Sequence, residues 1–120
     1  MRIVIDLDGV ICPIKTSNQT YDELQPVVGA KEKIHNLRKS GHYIIIQSAR
    51  HMRTCNSNLG LVLKKVGKTT LDWLEKYDIE YDEIYFGKPN ANIYIDDRGF
   101  RFHSWEDITE ANLEKKAREK

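Results

Sequence analysis

The chain has little that would point outward. Only two cysteines occur, Cys12 and Cys55, 43 positions apart, so no paired disulfide framework can be drawn and reduced thiols are expected. No apolar run approaches the roughly 18 residues of a membrane span, and the strand-like start after Met-Arg is too short and too soon charged for a signal peptide. Nineteen basic and 18 acidic residues leave a net charge of +1, which lacks the basic excess of a general nucleic-acid binder. Repeats and low-complexity tracts are absent. Together these absences predict a cytoplasmic protein without a membrane partner.

What is present is one domain's worth of sequence, residues 1–120, with 40% hydrophobic residues to fill a single core. Arg2–Asp6 reads as a short, β-branched, buried parallel strand. Pro13, Pro26 and the polar stretch 16–22 mark a loop, after which Gly29 opens a helix with Ala30, Ile34 and Leu37 on one face and Gly41 behind it. Residues 43–46 read as a second strand. Residues 59–65 suit a short helix or a flap, and Thr69 or Thr70 is expected to cap a helix to Lys76 with Leu71 and Leu74 inward. Residues 83–86 and 92–95 are expected as strands three and four. Ser104 with Asp107 resembles a capping box, and a last helix is expected from Thr109.

Strands alternating with helices predict an α/β fold: a Rossmann-like three-layer sandwich with a central parallel sheet. The loops after Asp8 and Ser48 are too short for a separate cap domain. Ligands of such sheets bind at the carboxyl ends of the strands, which here carry Asp6, Ser48, Gly87-Lys88 and Asp96-Asp97. In Asp6-Leu7-Asp8-Gly9, alternation sends both carboxylates to one side, and Gly9 lets backbone approach a ligand. One acid can attack phosphorus while the other shuttles a proton. Asp96-Asp97 would add carboxylates that repel without a cation, and hard oxygens in that number suit Mg²⁺. Ser48 can donate to a phosphoryl oxygen, and Lys88 can offset developing charge. Taken singly, each residue has a plainer explanation as a turn, a cap or a surface lysine.

The segments DLDGV (6–10), QSAR (47–50), FGKP (86–89) and YIDD (94–97) resemble, in order, the four motifs of the haloacid dehalogenase superfamily. The resemblance covers nearly the whole chain. It implies a capless Mg²⁺-dependent phosphatase, with Asp6 as nucleophile, Asp8 as acid/base, and Ser48 and Lys88 as phosphate partners. Gly9, Ala49 and Arg50 join Ser48 and Lys88 at the substrate, and Asp6, Asp8, Asp96 and Asp97 form the metal site, with Asp97 the favoured direct ligand. SARHM (48–52), GKTTLDWL (67–74) and IYIDD (93–97) are further similar to small phosphatases of bacterial capsule and lipopolysaccharide synthesis, which implies a sugar phosphate. Val10 departs from the Thr common in the superfamily, which loosens the expected hydrogen bonding around Asp8.

A capless site is open, so a homodimer or tetramer covering it is expected. Two other functions fit less well. A nucleic-acid 3′-phosphatase suits an open site but not the charge. A receiver-like signalling module places its acid pair first in the chain, whereas here it comes last. A zinc loop is discounted for want of cysteines. His51, Arg53 and the lysines at 64, 65 and 68 read as solvated, and Trp73 and Trp105 as core, Trp105 with less decision.

Overall fold

A computed structural model describes residues 1–118. Three parallel strands, β1 (Arg2–Asp6), β2 (Tyr43–Ser48) and β3 (Glu83–Phe86), form a sheet in that spatial order. Arg2 lies opposite Tyr43 and Asp6 opposite Gln47, while Ser48 lies opposite Phe86, so the three strands end level with one another. Helix α1 (Ala30–Lys39) joins the first pair of strands. A longer helical run joins the second: α2 (Leu59–Val62), a π-helical turn (Leu63–Gly67) and α3 (Lys68–Lys76). Helix α4 (Glu110–Arg118) closes the described chain. The coarser α/β expectation is met, with a parallel sheet of three strands where four were expected, and both expected glycines flank α1 at positive φ, Gly29 at 92° and Gly41 at 94°.

Both crossovers step the same way across the sheet, and right-handed connections then put both helical runs on one face. The core follows from this: Ile5, Leu7, Ile44 and Ile46 from the strands meet Ile34 and Leu37 of α1 and Trp73 and Leu74 of α3. The opposite face presents Val4, Tyr43 and Tyr85 to solvent. Ile45 on that face is nonetheless buried. Around it Arg2 stacks on Tyr43 at 4.7 Å and pairs with Glu83 at 3.6 Å, and Tyr85 donates to Glu83 at 2.8 Å.

Four local expectations are corrected. Residues 92–95 form no strand; they lie in irregular chain with Ile93 and Ile95 75% and 94% exposed, because no strand position in the sheet receives them. Thr69 and Thr70 lie inside a helical run, whose start is capped by Asn58 accepting from the Leu61 amide at 3.2 Å. Leu71 is exposed, and the inward stripe is Val62, Val66, Thr70 and Leu74. At 3.6 residues per turn each four-residue step overshoots by about 40°, and the wide π turn at 63–67 takes up that drift. Ser104 makes no side-chain cap; it precedes a 3₁₀ turn (Trp105–Asp107), and Thr109 caps α4 instead, accepting from the Asn112 amide. Both tryptophans are core residues, Trp73 donating to the Leu24 carbonyl and Trp105 to that of Val10, each at 2.8 Å.

Candidate active site

The carboxyl ends of the strands carry the charged residues. β1 stops at Asp6, and Leu7 turns inward, completely buried, its amide still bonded to the Gln47 carbonyl. The chain then doubles back: the Ile11 and Cys12 amides donate to the Leu7 carbonyl, and Gly9 donates to Cys12. Gly9 sits at φ +87°, where a side chain would be strained and would press Ile14 at 3.2 Å. This turn leaves Asp6 and Asp8 as the acids at the sheet's edge.

Lys88 reaches Asp6 from 82 positions away. Its Nζ lies 2.9 Å from Asp6 Oδ2, both side chains partly open to solvent. Gly87 makes this reach possible. The Gly87 and Lys88 amides both donate to the Ser48 carbonyl, so the chain hooks over the end of β2. Gly87 holds φ +106°, and a Cβ there would stand 2.7 Å from Leu59.

Ser48 is buried, and its Oγ accepts from the Arg50 amide at 3.1 Å. Ala49 forms the half-buried bend between them. The Arg50 side chain turns inward rather than toward solvent. Its Nε and Nη2 grip the Asp8 carboxylate at 3.0–3.1 Å, and its Nη1 donates to Thr70 Oγ1 at 3.0 Å. The guanidinium lies 4.0 Å from the Tyr21 ring centroid, and Nη2 also meets the Cys12 sulfur. As placed, Arg50 is the partner of Asp8. Thr70 and Tyr21 carry no signal of this role in the sequence. Thr70 is found only from the face that α3 buries, which it shares with Trp73 and Leu74, and Tyr21 only once its loop folds back over the site.

Burial, reinforced by the neighbouring Asp8 carboxylate, pushes the Cys12 thiol up to about 12. Burial likewise raises the Tyr21 phenol. His51 is lowered, by burial first and then by Lys65, Lys15 and Arg50, which disfavours an imidazolium in the loop beside Ser48.

Asp96 and Asp97 are exposed. Asp96 turns back on its own loop, Oδ1 accepting from the Arg98 and Gly99 amides. Among the described residues no three His, Cys, Asp or Glu side chains gather in a metal-holding group, so Asp6, Asp8, Asp96 and Asp97 do not form the expected cluster as placed. The donor chemistry at the strand ends nevertheless suits Mg²⁺, which needs only one or two carboxylates when phosphate and water complete its shell. Tyr94 rests its ring 4.2 Å from Lys88 Nζ, which keeps this loop beside the site.

No family model and no curated protein matches the chain. Among solved structures the chain is similar to a structural-genomics target from Vibrio cholerae, at 29% identity and a TM-score of 0.85, over 97% of this chain and 95% of that one. The architecture is therefore shared along the whole length. Among the described residues no helix is long and apolar enough to cross a membrane.

Proposed function

We propose that the chain is a Mg²⁺-dependent phosphomonoester hydrolase of the haloacid dehalogenase type, acting through an aspartyl-phosphate on Asp6. The observation that carries this is the Asp6–Lys88 ion pair at the carboxyl edge of a parallel sheet, two residues before a second acid held by its own cation. A free Asp6 oxygen attacks phosphorus, the bond from phosphorus to the ester oxygen breaks, and Asp8 gives its proton to the departing alkoxide. Water then attacks the phosphoryl group, Asp8 takes the proton, and Asp6 is regenerated with release of inorganic phosphate. Lys88 offsets charge on Asp6 and on the transferring group. Asp6 and Asp97 are the carboxylates that would hold Mg²⁺, which would supply further neutralisation of the phosphoryl oxygens.

The substrate class proposed is a small sugar phosphate of capsule or lipopolysaccharide synthesis, in keeping with the motif resemblance and the near-neutral charge. Purified protein with Mg²⁺ should release inorganic phosphate from members of a sugar phosphate panel. EDTA should abolish release, and Asp6→Asn should reduce it to background with folding intact. A variant that keeps most of the activity, or full turnover in chelator, overturns the reading.

One observation favours a second reading. Both Asp8 oxygens are engaged by Arg50, which suits an acid that positions rather than shuttles protons. A phospho-aspartate that persists for hours after exposure to acetyl phosphate would select a receiver-like switch over an enzyme.

A further inference from the structure

Residues 89–95 (PNANIYI) carry no charge, are rich in strand-forming side chains and lie exposed. β1 has the matching lack. It pairs with β2 along one edge only, and Val4 in its middle is 53% exposed. Open edges are usually guarded by charge, proline or a bulge, and an unguarded edge invites an added strand. The simplest occupant would be the chain's own 92–95 segment, running parallel to β1 so that Asp96 comes level with Asp6.

The tether forbids that. Lys88 is fixed beside Ser48, its amide bonded to the Ser48 carbonyl at 3.1 Å. For Asp96 to stand level with Asp6, residue 92 must stand level with Arg2, hence with Tyr43, five residues below Ser48. That descent is about 16 Å at strand rise, and the place beyond β1 lies two strand spacings, about 10 Å, to the side. The diagonal is about 19 Å, whereas the four peptide steps from Lys88 to residue 92 reach about 14 Å when fully extended. A one-residue change of register shortens the descent to about 13 Å and the diagonal to about 16 Å, still out of reach. An antiparallel approach would send Asp96-Asp97 to the opposite pole of the sheet.

We infer that the 92–95 segment of each chain adds to the β1 edge of a second copy, in a reciprocal exchange that carries Asp96-Asp97 to the partner's Asp6. The two copies are related by a two-fold, because each gives the segment that it receives. Leaving its own site lifts Tyr94 off Lys88. The exchange itself stands on reach and exposure. Its consequence, that each site is built from two chains, rests on the phosphatase reading, and the tests separate the two.

Light scattering at tens of micromolar should report a dimer. Val4→Cys protein mixed with Tyr94→Cys protein should give an oxidised heterodimer on a non-reducing gel, since 4 and 94 are level in the exchanged register. A monomer, or no inter-chain link, overturns the exchange; so does a Val4→Cys/Tyr94→Cys double variant that links only within one chain. Asp6→Asn and Asp97→Asn proteins, each inactive, should recover about a quarter of wild-type phosphate release after refolding together, because half the dimers are mixed and one of their two sites is intact. Linked dimers without recovered activity would leave the exchange standing and reject the two-chain phosphatase site. Sites complete within one chain would recover nothing.

Discussion

Replacing Arg50 by Met removes a cation while keeping most of the apolar stem. The side chain is almost wholly buried and makes its polar contacts with Asp8, Thr70 and Cys12, so the loss leaves the Asp8 carboxylate without its counter-ion. Breaking one partner of a buried pair costs about 3–5 kcal/mol. Asp8 keeps 22% of its side-chain surface in water, which argues for the lower end, about 3 kcal/mol. With an unfolding entropy of about 2.1 cal/mol/K per residue, 120 residues give about 0.25 kcal/mol per degree, and Tm should fall by about 12 °C. Arg50→Lys should recover only part of this, because a point charge cannot fork across Asp8, reach Thr70 and lie flat on Tyr21 together. Calorimetry and urea titration of wild type, Arg50→Met, Asp8→Asn and the double variant would yield the coupling directly. A Tm loss under 3 °C, or a coupling near zero, would refute the view that Arg50 holds Asp8.

Gly87→Ala should destabilise by about 1–2 kcal/mol through its left-handed φ, and should lower phosphate release more than stability by moving Lys88 off Asp6; Leu59→Ala should relieve the clash but not the backbone strain. Asp8→Asn should slow a sugar phosphate in both chemical steps but an aryl phosphate mainly in the second, giving a burst of aryl alcohol and trapped phospho-Asp6; equal losses with no phospho-enzyme would deny the acid/base role. The Cys12 thiol, about 12 when folded against 9.0 ordinarily, contributes stability that is complete below pH 9 and lost as pH rises toward 12, about 4 kcal/mol in all. Native protein at pH 8 should therefore resist iodoacetamide at Cys12, and rapid labelling without unfolding would contradict its burial.

How far the residues alone reached depended on range. The β1 and β2 assignments and the pairing of Lys88 with Asp6 were legible because strand ends converge on one edge whatever the details between. Ile93–Tyr94–Ile95 misled for a definite reason: its composition is that of a buried strand, but composition says nothing of whether the tether can reach a place in the sheet. Leu71 misled differently. Hydrophobicity favours it over Thr70, whereas the buried face of α3 runs through Thr70, Trp73 and Leu74 at ordinary helical spacing. Arg50 looks like a surface clamp in a loop, and its burial depends on Thr70 and Tyr21, which come from two other segments.

The polar group formed by Arg2, Tyr43, Glu83 and Tyr85 over Ile45 has a bearing on how copies meet. A bare aliphatic sheet face would adhere to another face in any rotation and grow without limit. Wetted by charges and phenols, this face resists stacking, while the neighbouring strand margin stays receptive along a single line. In the proposed exchange, association would thereby be steered from two dimensions into one, and a contact that each partner can satisfy once would end with the pair.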